Sequence, residues 1–154
     1  MENVQYFEFK NQERMTLLPL LLVGDEDKEK VMGYLNLGKI FVAKIQSKIV
    51  AALLMIFDDK GNAEIKNISV LPKYQGNGIG TQLISFVVSK SPKSLEQLIV
   101  GTGDADIQNI YFYLKNGFRF YGIRKNFFKE YARPIVSNGI TLQDMVVFNR
   151  IINS

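Results

Sequence analysis

The chain contains no histidine and no cysteine, and these two absences exclude a great deal of chemistry. A Ser/His/Asp or Cys/His nucleophilic triad cannot be assembled, and zinc, haem and iron–sulfur centres lose their usual ligands, so no metal site is expected. Disulfides are excluded as well. The core must hold by packing, which agrees with a reducing, cytoplasmic setting. No apolar run reaches membrane-spanning length, and Met1-Glu2-Asn3-Val4 shows no basic stretch followed by an apolar core, which argues against a membrane partner and against export. Nineteen Lys and Arg against fifteen Asp and Glu leave a net charge of only +4, scattered apart from a mild basic excess over residues 119–129. Nucleic acid is therefore not expected as a partner, whereas a small anionic one would suit the charge.

What is present is a globular composition: 154 residues, 47% hydrophobic and 22% charged. A chain of this size suits one domain, residues 1–154, able to bury roughly 70% of its unfolded surface. Residues 4–10 alternate as an edge strand would, Asn11 is placed to cap a helix that Pro19 must kink or restart, and Asp25 offers a second cap with Glu26 and Asp27 in the following turn. Two strands, 39–45 and 49–57, flank a Gln46-Ser47-Lys48 turn, and residues 58–62 turn the chain into a third strand over 63–71. Ile79, Leu83, Phe86 and Val87 line one helical face up to Ser91-Pro92, and a strand follows over 95–101. Ile107, Ile110, Tyr111 and Leu114 mark a short helix ended by Gly117, and residues 118–123 and 144–152 read as closing strands. A meander combined with crossovers argues an α/β fold with a mixed sheet.

The most informative segment is Gln75-Gly76-Asn77-Gly78-Ile79-Gly80, set between a strand-like run over 65–71 and a helix-like run over 81–90. A helix start presents unpaired N–H groups and the positive end of the dipole, and glycines let a phosphate approach them. On its own the hexapeptide reads equally as an anion cradle or as an ordinary strand-to-helix loop. A nucleotide-triphosphate loop is disfavoured, because no Lys-Ser/Thr pair follows Gly80.

These residues resemble the GNAT superfamily of acetyl-CoA-dependent N-acetyltransferases. Its signature Gln/Arg-x-x-Gly-x-Gly/Ala is matched by Gln75, Gly78 and Gly80, preceded by Ile68-Ser69-Val70-Leu71-Pro72, which is similar to the family's fourth strand. A second signature, a Tyr four residues before Gly-Phe, is matched by Tyr113 before Gly117-Phe118. The resemblance covers nearly the whole chain. It implies a mixed, mostly antiparallel central sheet flanked by about four helices, with acetyl-CoA as co-substrate. It further implies that the backbone of Ile68, Ser69 and Val70 pairs with the pantetheine arm, while Gln75, Gly76, Asn77, Gly78, Ile79, Gly80 and Thr81 hold the pyrophosphate. Physics supports that division, since amides can extend a sheet edge and a diphosphate suits a helix N-terminus.

In the reaction so implied, a neutral amine attacks the thioester carbonyl, an oxyanion forms, and a thiolate departs. The oxyanion needs a fixed donor, such as a backbone N–H around Val70. Tyr113 is the expected general acid, its phenol being protonated at neutral pH; the competing reading is a packed ring in a helix that also holds Tyr111 and Phe112. Glu64, on the cofactor strand, is the candidate base, against a solvent-facing alternation with Ile65 and Lys66; Asp25 and a water chain are the other options. Asn109, one turn before Tyr113, matches a position from which the family contacts the cofactor arm, or is a surface residue. Asp104 and Asp106 stand where many members carry Asn. Residues 20–27 and 126–139 are expected to shape the pocket for an acceptor amine of a small molecule or peptide. The aromatics and charges of Phe127-Phe128-Lys129-Glu130-Tyr131 either line that pocket or fill core. A homodimer is compatible with this reading. The alternative function is a non-catalytic CoA-binding or partner-binding module of the same fold.

Overall fold

The computed structural model describes residues 3–153; Met1 and Glu2, on which the expectation about export partly rests, and Ser154 lie outside the described residues. The chain divides into two compact units, residues 1–58 with 65–92 and residues 59–64 with 93–154.

In the first unit the strands follow the order β1 (Val4–Glu8), β2 (Lys39–Ile45), β3 (Lys48–Phe57), β4 (Asn62–Val70). β1 with β2 and β2 with β3 pair antiparallel, and a bulge at Ala43/Lys44 offsets the second ladder. β3 is an unbroken apolar run whose Val50 to Met55 are all fully buried, as befits a strand covered on both faces. One cover is the helix pair α1 (Leu18–Gly24) and α2 (Lys28–Tyr34), whose Leu21 and Val31, with Leu35 at the C-cap of α2, meet Val42, Ala52 and Leu54. α3 (Ile79–Lys90) packs on β2 and β3 with Leu83, Ile84 and Val87 buried. Phe86, expected among these, is only half-buried and instead sets its ring 6.2 Å from both Tyr6 and Phe41.

The capping expectations need correction. Pro19 opens α1 at its first positions rather than kinking it, after a 3-10 turn over Arg14–Leu17. Asn11 caps no helix; its Oδ1 accepts from the Glu13 N–H at 2.8 Å. Asp27, not Asp25, caps α2 by accepting from the Lys30 N–H at 3.1 Å. Sequence spacing cannot rank two aspartates so close together, and Asp25 is drawn away by Tyr34, whose hydroxyl donates to it at 3.0 Å.

The second unit contains Asn62–Glu64 of β4, then β5 (Gln97–Gly103), β9 (Met145–Ile151) and β6 (Arg119–Arg124) in spatial order, with β9 antiparallel to both neighbours. α4 (Ile107–Lys115) ends as expected at Gly117, whose φ of +86° lets the Phe118 N–H reach back to the Tyr113 carbonyl at 3.0 Å. Its apolar face is not the expected one, because Ile107 and Tyr111 are exposed while Tyr113 is buried with Phe118 and Phe148. The 118–123 strand is shifted by one residue, and residues 136–141 form an unexpected hairpin, β7 (Val136–Ser137) and β8 (Ile140–Thr141). Its turn is Asn138-Gly139, both at positive φ, the residue pair that such a two-residue turn favours. The fold class is thus the expected α/β, with a mostly antiparallel sheet and four α-helices among the described residues.

Candidate active site

In the first unit β4 runs into a 3-10 turn at Pro72–Tyr74 and then the glycine segment. Gln75 donates from Nε2 to the Val70 carbonyl at 2.8 Å, and Asn77 donates from Nδ2 to the Tyr74 and Gln75 carbonyls, both at 3.2 Å. These two side chains therefore shape the loop rather than extend beyond it. Gly76 and Gly78 sit at φ +78° and +80°, and a Cβ on either would meet nothing within 4 Å. Gly78 is the N-cap of α3, and no side chain occupies the cap. The helical ladder begins with Gln82 N–H to the Gly78 carbonyl at 3.0 Å, which leaves the amides of Ile79, Gly80 and Thr81 without intrahelical acceptors. Ile79 and Gly80 are buried, holding the helix start against the core.

β4 alternates strictly, with Ala63, Ile65, Asn67 and Ser69 buried and Glu64, Lys66, Ile68 and Val70 half-buried on the other face. Ser69 faces away from Ile68 and Val70: its hydroxyl donates to the Asn67 Oδ1 at 2.6 Å and lies 3.3 Å from the Leu21 carbonyl. Only its backbone remains for a cofactor. The Leu71 N–H, adjacent to the proposed oxyanion donor, is bound to the Val50 carbonyl at 2.9 Å. Sequence reasoning missed a buried polar network here. Asn67 donates from Nδ2 to the Leu21 carbonyl at 2.8 Å and to the Tyr34 hydroxyl at 2.9 Å, and Tyr34 in turn donates to Asp25. The chain at Gly24 comes so close that a Cβ there would collide with the Ser69 hydroxyl and stand 2.8 Å from the Ile68 carbonyl. The period-two parity running from Ala63 through Ile65 signals that Asn67 and Ser69 point inward.

In the second unit Tyr113 is buried among aromatic rings, 5.5 Å from Phe112 and 5.7 Å from both Phe118 and Phe148. Burial, and secondarily the Asp106 carboxylate, push its phenol well above the ordinary tyrosine value, so it carries its proton throughout the physiological range. Glu64 is not simply solvent-facing, because Arg124 donates from Nη1 and Nη2 to its two oxygens at 3.3 and 3.5 Å. Asn109 uses its amide on Thr102 and Asp106, at 3.2 and 3.1 Å, so its side chain is committed to the start of its own helix. Asp106 also accepts from the Ser137 hydroxyl at 3.0 Å, and Asp104 accepts from the Gln143 and Asp144 amides at 3.1 Å. Both aspartates tie loops together. Phe127, Phe128 and Tyr131 form a half-buried triad with centroids 5.1 to 5.9 Å apart. Among the described residues no group of three or more acidic side chains is arranged to hold a metal, and no helix is long and apolar enough to cross a membrane.

The sequence profile of the acetyltransferase (GNAT) domain matches residues 36–120. An uncharacterised N-acetyltransferase of Bacillus subtilis (strain 168), YvbK, is 33% identical over 132 residues, 84% of this chain and 85% of that protein. Among solved structures, a GNAT family acetyltransferase from Elizabethkingia anophelis with acetyl-CoA bound superposes with a TM-score of 0.90 at 35% identity, covering 98% of this chain and 99% of the other. A Bacillus subtilis acetyltransferase in complex with CoA gives 0.86 at 28% identity, covering 97% and 99%. With the profile spanning more than half of the chain and the relatives nearly all of it, the chain belongs to the GNAT acetyltransferase family and is an acyltransferase.

Proposed function

We propose that the protein transfers the acetyl group of acetyl-CoA directly to a primary amine of a small molecule or peptide, through a ternary complex, with residues 1–154 acting as one N-acetyltransferase domain. The observation that carries the proposal is the open helix start. A left-handed glycine replaces the usual capping side chain, and the space above it is empty. The amides of Ile79, Gly80 and Thr81 are then the donors for the pyrophosphate, with Gln75, Gly76, Asn77 and Gly78 shaping the turn. The backbone of Ile68, Ser69 and Val70 is the partner for the pantetheine amides. Asn109 contributes through position rather than its amide, which is already engaged. The relatives bound to acetyl-CoA and to CoA support the same co-substrate here.

In the reaction the ammonium form of the acceptor loses a proton, to Glu64 directly or through water. The amine lone pair forms the new C–N bond at the acetyl carbonyl, and collapse of the tetrahedral intermediate breaks C–S. The departing sulfur takes a proton from Tyr113 and the nitrogen gives up its second proton, so the balance is amide, free thiol and one proton released. A phenol raised by burial is a weaker acid than an exposed one, and it holds its proton until a thiolate forms beside it. Residence in the cytoplasm suits both a thioester substrate and a cysteine-free chain. Incubating the protein with acetyl-CoA and a panel of primary amines, while following free thiol and acetylated product together, tests the proposal. Product formation is expected for at least one amine. Tight acetyl-CoA binding with no product across the panel would instead favour a non-catalytic CoA-binding module.

A further inference from the structure

The ion pair between Glu64 and Arg124 is built across the sheet rather than met at its rim. From the Asn62–Glu64 segment the strand order is β4, β5, β9, β6, so β5 and β9 lie between the two partners. Three strand spacings of about 4.8 Å put their backbones roughly 14 Å apart. The Arg124 side chain lies back over β9, with Nη1 3.8 Å from the Met145 sulfur. Met145 in turn occupies the room that Gly101 leaves on β5, where a Cβ would collide with it. Beside this pair runs a second polar line on the same strands: Asn149 donates to the Gln97 Oε1 at 2.9 Å, and Gln97 donates to the Asn62 Oδ1 at 2.8 Å. Arg124 and Glu64 keep 42% and 29% of their side-chain surface exposed, so a small molecule can reach both. The adjacent cation, Lys125, is turned to Asp144 at 3.2 Å.

An exposed ion pair of this kind contributes little to stability, which leaves its use as a receptor to be considered. We propose that Glu64 and Arg124 together receive an acceptor that carries a carboxylate beside its amine, an α-amino acid or a similar zwitterion. This rests on the acetyl-transfer reading with Glu64 at the acceptor. The zwitterion opens the pair and replaces it with two, ammonium to Glu64 and carboxylate to the guanidinium fork. Arginine suits the second contact because its planar donors match both carboxylate oxygens. The exchange conserves charge at every step. A plain amine also draws Glu64 away, but it sets a second cation beside the guanidinium and offers it no carboxylate in exchange, so the pair favours the zwitterion.

The test compares α-amino acids with their decarboxylated amines, such as leucine with isoamylamine and phenylalanine with phenethylamine, in wild type and Arg124→Gln. In the wild type the preferred amino acid should exceed its decarboxylated partner at least tenfold in kcat/KM. Arg124→Gln should raise the amino acid's KM by about tenfold to a hundredfold, the scale for losing a paired charge, and lower that of the decarboxylated amine. Decarboxylated amines used equally well by the wild type, or a KM change of the same sign and size for both classes, would overturn the proposal. Calorimetric titration of the CoA-loaded proteins with the amino acids separates the two readings. Binding that weakens in Arg124→Gln without any turnover would sustain the receptor and count against acetyl transfer alone. Equal or undetectable binding in wild type and variant would count against the receptor, whatever the turnover.

Discussion

Gly78→Ala is the smallest change that separates an anion cradle from an ordinary turn. Gly78 lies at φ +80° with nothing within 4 Å of an added Cβ, so the substitution meets no clash and its cost in the free protein is the left-handed backbone alone. That strain is worth about 1–2 kcal/mol, or roughly 2–8 °C in Tm for a chain of this length. Gly139→Ala is the matched control, with φ +74° and equally open space in the β7–β8 turn. If the space above Gly78 is where a phosphate sits, only Gly78→Ala places a methyl group against it. Losing one charge-assisted hydrogen bond costs about 1.5–3 kcal/mol, which weakens acetyl-CoA by roughly ten- to a hundredfold. The assay is a thermal melt with acetyl-CoA at about one hundred times the wild-type Kd. There the ligand should stabilise the wild type and Gly139→Ala by about 2.7 kcal/mol, but a thirtyfold weaker Gly78→Ala by only about 0.9 kcal/mol. Equal ligand-induced shifts in the two variants, with calorimetry giving equal Kd values, would remove the cradle and leave a loop with glycines.

Tyr113→Phe should keep its ring packing and acetyl-CoA binding and lose about 10²- to 10⁴-fold in single-turnover rate, the scale for a general acid. Because the folded phenol is raised above the unfolded value of 10.0, the wild type should lose stability relative to Tyr113→Phe as pH climbs past 10, where the unfolded chain ionises first; parallel stability curves from pH 8 to 11 would contradict the burial argument. Glu64→Gln should depress kcat/KM mainly on the acidic limb, where free amine is scarce, with coenzyme affinity intact; superimposable pH profiles would pass the proton to water instead. Tyr34→Phe removes both the donor to Asp25 and the acceptor for Asn67, and leaving those groups short should cost about 1–3 kcal/mol in urea unfolding, so an unchanged midpoint at constant slope would show that the network is replaceable.

The fold was legible where one local rule acted without competition. β3 announced itself by an apolar run bounded by the Gln46-Ser47-Lys48 turn and the turn over 58–62, and α4 was closed at Gly117 by a conformation that glycine adopts cheaply. Helix starts were less legible because several capping residues crowd residues 25–27, and a tertiary partner, the Tyr34 hydroxyl, decided between them. The face of α4 failed for a related reason. Ile107, Ile110, Tyr111 and Leu114 satisfy helical spacing, but Tyr113 with its neighbour rings has more apolar area to bury, and area rather than pattern set the rotation of the helix. The Asn138-Gly139 hairpin carried a plain turn signal, obscured by flanking strands of only two residues each.

For the site, the legible part was the part made of backbone. Glycines at fixed spacing declare a geometry, and the turn from Gln75 to Gly80 has the left-handed φ values and the open helix start that such spacing requires. Side-chain roles do not follow from spacing, because a polar group can be claimed by any neighbour the fold supplies. Asn109 and Ser69 show this: their amide and hydroxyl are consumed by Thr102, Asp106, Asn67 and Leu21, partners up to 48 residues away in sequence. Arg124 is the converse. It sits in a mild basic excess with no motif to mark it, and acquires its place only when β9 and β5 carry it to Glu64, 60 residues distant. An acceptor site of the proposed kind, assembled from strand ends, leaves no local signature, so the amine class has to be read from paired charges in space, and the pairing of Glu64 with Arg124 makes a carboxylate-bearing amine the acceptor to try first.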